Sequence, residues 1–235
     1  MQHSGFRPFF IIWFGQLVSL FGTGMTRFAL IIWAYQQTGQ ATTLALMGFF
    51  GFGSTVIAGI AASGWIDRFD KRKIMLLADM GASVATLGLL ILYAGDHLSV
   101  WHLYLAEVIV GSMDAFQIPA YNAVVTILIP KKHFARANGL KSFAGYSSSV
   151  FAPFLAGLTL GIIGISGVMV LDLLTFLVAV GTLVVVQIPR PKVEHETSDS
   201  ANSSFRENLS IGLRYIAARP GLIALLFENT MINFL

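Results

Sequence analysis

The stretch Ser63-Gly64-Trp65-Ile66-Asp67-Arg68-Phe69-Asp70-Lys71-Arg72-Lys73 places four cations and two anions in its last seven positions. It separates two long apolar runs, residues 43–66 and 74–94. About 20 apolar residues in helical form cross the roughly 30 Å of bilayer hydrocarbon, so this charged segment reads as the turn of a hairpin whose two arms span a membrane. Working outward, further apolar runs lie near residues 9–35, 101–129, 139–163 and 166–188. Another opens after Pro220 and stays apolar to Leu235, about 16 residues and short of a full span. The expected fold is all-α: a polytopic membrane protein with a six-helix transmembrane bundle in 1–188 and a cytoplasmic linker with an amphipathic helix in 189–219. The start of a seventh transmembrane helix follows in 220–235. On this reading the chain is the front part of a longer protein.

Composition supports the class. Only 11% of the 235 residues are charged and 55% are apolar, with a mean hydropathy of +0.73. Soluble domains carry about 25% charged residues, and a chain this apolar does not remain solvated as a disordered coil. The first apolar run is too long for a signal-peptide core and is not followed by a small-residue cleavage site.

Orientation follows from the cations. Fourteen of the 15 Lys and Arg residues fall on one side: Arg7, the turn at 68–73, then Lys131, Lys132, Arg136 and Lys141, then the segment from Arg190 to Arg219. The connections Gln36 to Thr42, Gly95 to Val100 and Gly164 to Ile165 hold none. The N-terminus is therefore expected in the cytoplasm of a cell-membrane protein, and the basic pI near 9.3 reflects topology rather than nucleic-acid binding. In the polar segment, Ser204 and Glu207 have capping-box spacing. Phe205, Leu209, Leu213 and Ile216 then share one face of a short surface helix.

The charged turn resembles the signature loop of the major facilitator superfamily: glycine, three residues, Asp-Arg, two residues and a basic pair. Asp67, Arg68, Lys71 and Arg72 match its charges, while Ser63 and Asp70 stand where glycines are usual. The resemblance implies that Asp67 and Arg68 help lock two halves of a transporter together from the cytoplasmic side. Gly139, Ser148, Ala152, Pro153, Ala156 and Gly157 follow the spacing of the antiporter motif in helix five, with small residues replacing several glycines. Close helix packing explains these residues as well as antiport does. Gly15-Gln16-Leu17, Ala137-Asn138-Gly139-Leu140 and Gly212-Leu213-Arg214-Tyr215 are similar to exporters of the macrolide-efflux and enterobactin type. Thr23 replaces an acid found in span one of many relatives, and Glu107 reverses the charge of an arginine that drug antiporters carry in span four. The implied fold is the N-terminal half of the major facilitator fold, built from two three-helix repeats.

Charge inside a bilayer costs at least about 2.5–3.5 kcal/mol and marks a partner or a watery cavity. Asp79 and Asp172 lie one and two turns from span ends, which suits capping or helix packing. Arg27 is eight residues before the end of span one and Glu107 six after the start of span four. At about 1.5 Å per residue the two are within a turn of equal depth, so an ion pair is expected. Asp114, seven residues beyond Glu107 on nearly the same face, is the expected proton carrier, because low-dielectric surroundings favour a protonated carboxyl. Its alternative role is a hydrogen bond to a neighbouring helix. Glu228 in the seventh span is a further candidate. Gln16, Gln117, Asn122 and Phe116, with Trp13, Phe21 and Tyr121, are candidate cavity residues.

No cysteine, Walker loop or nucleophile elbow is present, so neither an enzyme nor a cofactor is expected. The partners expected are the lipid bilayer, a small-molecule substrate, protons and a missing C-terminal half, with no nucleic acid. The expected function is proton-coupled efflux of a lipophilic drug-like or siderophore-like compound. The alternative is a truncated, non-transporting membrane fragment or assembly module.

Overall fold

The computed structural model describes residues 6–62, 66, 69–186, 214–215, 218–219, 221–225 and 227–228. Among these the regular structure is helical, without strands: α1 (Phe6–Thr38), α2 (Ala41–Ala62), α3 (Lys71–Ala94), α4 (Val100–Leu128), a 3-10 turn at Lys131–His133, and α5 (Phe134–Val185). Phe6–Thr38, Ala41–Ala62, Lys71–Ala94 and Lys131–Val185 are long and apolar enough to cross a membrane. Val100–Leu128 has the length, but Glu107, Asp114, Gln117 and Asn122 dilute its apolarity. The chain divides into two units, Met1–Pro191 and Lys192–Leu235.

Local signals explain the helix ends. Gly39, at φ 64°, closes α1 in the left-handed conformation that glycine adopts without strain, its N–H donating to Tyr35 O at 2.7 Å. Asp70 caps α3, its carboxylate accepting from Arg72 N at 3.0 Å. Ser99 starts α4 in a reciprocal box with His102.

The 52 residues of α5 would measure about 78 Å as one straight helix, more than twice the hydrocarbon thickness. The backbone breaks at Gly164 (φ 66°, ψ −177°), at the Gly164 to Ile165 connection expected from the sequence. Side-chain contacts give the direction of each arm. Trp13 and Leu20 of α1 meet Leu140 and Ser148 in rising order. Gly15 and Gly22 meet Thr182 and Thr175 in falling order. The arms before and after Gly164 therefore run antiparallel, with α1 against both.

The same logic makes α1 parallel to α3, through the pairs Gln16 with Asp79 and Thr23 and Thr86 with Asp172. Helix α4 is antiparallel to α1, through Arg27 with Glu107 and Gln16 with Gln117. Helices α2 and α4 run parallel and cross closely: Thr55 donates to Gly111 O at 3.0 Å.

The interior has three layers along the helix axes. Phe9, Ile12, Trp13, Met75, Leu128 and Leu183 form an apolar cluster at one end. Leu30, Ala34, Met47, Leu89, Leu103 and Met169 form another at the opposite end. Between them lies a polar layer. The outer surface is apolar, with Phe52 74% and Ile57 73% exposed on α2. Continuous exposure of this kind suits lipid rather than water.

Candidate functional site

The polar layer is built by residues seven positions apart, two helical turns along one face. On α1 these are Gln16 and Thr23, with Arg27 one turn beyond; on α3, Asp79 and Thr86; on α4, Glu107 and Asp114, with Gln117 one turn beyond. Asp172 comes from the second arm of α5.

Two carboxylates are buried and bonded at both oxygens. Asp79, 4% exposed, accepts from Gln117 Nε2 at 2.6 Å and from Gln16 Nε2 at 3.3 Å, and the two glutamines are joined at 2.9 Å. Asp172 accepts from Thr23 at 3.1 Å and from Thr86 at 3.3 Å. Each ties three helices, so helix packing rather than end capping describes both. Thr23 stands where many members of the resembled family carry an acid, and its hydroxyl donates to an acid delivered by α5. The sequence reading missed Thr23 and Thr86 as partners. Their seven-residue alignment with Gln16 and Asp79 was the available signal.

The other two carboxylates differ: the Glu107 side chain is only 12% exposed, whereas Asp114 is open. Arg27 Nη2 meets Glu107 Oε2 at 3.1 Å, joining α1 to α4 at the depth expected. Gly51 of α2 makes room for this pair: a Cβ there would stand 2.6 Å from Glu107 Oε2 and 3.2 Å from Arg27 Nη2. Asp114 is exposed, within electrostatic reach of Arg27. Among the described residues it makes no hydrogen bond or ion pair.

Asp114 faces a cavity of about 620 Å³ between α1, α3, α4 and both arms of α5. Gln16, Gln117 and Asn122 line it, together with Trp13 and Tyr121. Phe116 and Phe21 do not, which corrects their assignment. The cavity face of α4 carries 114, 117, 118, 121 and 122, and one residue turns a helix by about 100°, which rotates Phe116 off that face. Phe21 packs instead against Met25, Ala29, Ala152, Ala156 and Val168.

The small-residue motif of α5 splits. Ser148, Ala152 and Ala156 are buried, and Ser148 donates to Leu20 O at 2.8 Å. Pro153 lines the cavity, whereas Gly139 and Gly157 face open space. In the basic loop, Asp67 and Arg68 lie outside the described residues. Lys71 opens α3, and Arg72 Nη2 donates to Val184 O at 2.6 Å, joining the start of α3 to the end of α5. Of the capping and amphipathic pattern at 204–216, only Arg214 and Tyr215 are described, both helical; Glu228 is helical and exposed in the second unit.

Lys141 was counted with the cations of the membrane surface. The structure places it in the cavity wall, bonded to Asn122 Oδ1.

The family model described as Major Facilitator Superfamily matches residues 12–235. Among curated proteins, the chain is similar to macrolide efflux protein A of Streptococcus pyogenes, at 28% identity over 226 residues, covering 96% of this chain and 55% of that protein. It is also similar to the enterobactin exporter EntS of Shigella flexneri, at 24% identity over 233 residues, covering 95% and 52% respectively. The chain thus spans about half the length of these curated relatives. No solved structure matches.

Proposed function

We infer that this chain, which belongs to the major facilitator superfamily, forms the first half of an exporter that uses protons to expel a lipophilic small molecule. Its six helices and the start of a seventh would comprise one wall of the transport path, with the N-terminus in the cytoplasm and a second half closing the other wall. The observation that carries the reading is Asp114: an unbonded carboxylate facing a cavity of about 620 Å³, flanked by Trp13 and Tyr121. Transporters of this architecture bind substrate and coupling ion near the bilayer midplane and alternate access around that site.

Arg27 pairs with Glu107 and lies within electrostatic reach of Asp114. Protonation of Asp114 removes a negative charge that no hydrogen bond or ion pair holds among the described residues, and deprotonation restores it. That change couples a proton to the affinity of the cavity. Efflux-type relatives support outward transport of a drug-like or siderophore-like compound as the substrate class.

The test uses the protein containing both halves, in inverted membrane vesicles energised to be acid inside, with a radiolabelled macrolide as probe. Uptake that collapses on adding a protonophore is expected. Uptake indifferent to the protonophore, or no uptake at all, would contradict the reading.

A further inference from the structure

Lys141 differs from the other cations of its segment. Lys131, Lys132 and Arg136 are exposed, and Arg136 lies over the Phe6 ring at 4.6 Å. Lys141 lies two turns into α5, only partly exposed, in the cavity wall. Its backbone neighbour is fixed, because Leu140 O accepts from Trp13 Nε1 at 2.8 Å. Among the described residues Lys141 has no carboxylate partner. Its ammonium donates to Asn122 Oδ1 and stands 5.4 Å from the centre of the Tyr121 ring.

Tyr121 supplies an independent observation. Its ring lines the same cavity, and its hydroxyl is buried without a hydrogen-bond partner among the described residues. Buried polar atoms are nearly always bonded, so this hydroxyl beside the cavity retains an unused capacity to donate. The local balance of donors and acceptors says which kind of ligand atom fits beside it. An ammonium has three donors and no acceptor, and Asn122, its carbonyl oxygen taken by Lys141, retains two amide donors. The Tyr121 hydroxyl adds another. This end of the cavity therefore offers donors and a positive charge, with aromatic surface alongside.

Resting on the transport reading above, we propose that Lys141, Asn122 and Tyr121 form a subsite for an acceptor oxygen, preferentially a carboxylate, on the amphipathic molecule carried. Asp114 lies eight residues from Asn122 on α4, about 12 Å along the helix. The cavity wall is thus polarised, with an unbonded acid at mid-depth and, toward one end, a cation without a carboxylate partner among the described residues. A bound molecule is oriented by its oxygen-bearing end on Lys141, and its apolar body lies along Trp13 and Tyr121.

The test compares two probes of nearly equal shape, 1-pyrenebutyric acid and 1-pyrenebutanol, by equilibrium dialysis against the purified protein with both halves. Wild type is expected to bind the acid about tenfold more tightly than the alcohol, the strength of one charge-assisted hydrogen bond. Lys141→Met should abolish the preference, with the larger loss on the acid, while Lys141→Arg retains it. Should Lys141→Met fail to fold, Tyr121→Phe decides: it should weaken the acid about threefold and narrow its advantage over the alcohol. Equal binding of both probes to wild type, or an intact preference in the folded Lys141→Met variant or, failing that, in Tyr121→Phe, overturns the subsite. Failure of either probe to bind a protein that still exports in vesicles also overturns it and leaves the transport reading standing. Acid-selective binding without proton-dependent export would do the reverse.

Discussion

Asp79 on α3 and Asp114 on α4 belong to one polar layer in a single bundle, and their surroundings are opposite. Asp79 is 4% exposed and receives hydrogen bonds from Gln16 and Gln117. Asp114 is exposed to the cavity and bonded to nothing among the described residues. Asp172 repeats the first pattern with Thr23 and Thr86, and Glu107, paired with Arg27, stands between the two. Within a membrane protein the presence of an acid does not separate structure from function; the saturation of its oxygens does. A carboxylate whose two oxygens each accept a bond from its own helices holds them together. One left open at a cavity is available to a proton or a ligand.

The comparison can be broken in graded steps. The largest effect is expected where α2 and α4 touch backbone to backbone. A Cβ at Gly111 would collide with the Gly51 carbonyl, so Gly111→Leu should cost about 3 kcal/mol and sharply lower the melting temperature in detergent. Next comes the saturated class. Asp79→Leu strands the amides of Gln16 and Gln117 and should destabilise by about 2 kcal/mol. Asp172→Leu strands two hydroxyls and should cost somewhat less. Denaturation in mixed micelles measures both. If either variant keeps wild-type stability, the division between the classes fails.

The ion pair comes third. Arg27 is half exposed, at 53%, and solvent screening limits the pair to about 1 kcal/mol or less. A double-mutant cycle on Arg27→Gln and Glu107→Gln should return a coupling of that size. Gly51→Ala, which intrudes on both charged groups but on no backbone, should erase that coupling with little loss of stability. The smallest effect belongs to Arg72→Met, where one bond to Val184 O is lost at about 0.6 kcal/mol, visible only as faster hydrogen exchange where α3 begins.

Much of the fold could be read from the chain because lipid imposes long apolar runs. Even the hairpin inside α5 was visible, with Gly164 and Ile165 marking the turn. The ion pair between Arg27 and Glu107 followed from counting depth along two antiparallel helices. What remained hidden required rotation as well as depth. Thr23 and Thr86 look like any membrane threonine until helix register brings them to Asp172. Phe116 and Gln117 are adjacent in sequence and differ by about 100° around the helix. Lys141 was assigned by the sign of its charge, whereas its location depends on how far α5 has entered the bundle.

The most direct test of the account is Asp114→Asn in the protein with both halves, reconstituted in liposomes, with pH-gradient-driven transport and melting temperature measured on the same sample. Asp114 binds nothing that holds the helices together, so the account predicts an unchanged melting temperature and loss of the response to the pH gradient. A variant that keeps gradient-driven transport, or one that unfolds like Asp79→Leu, would contradict it.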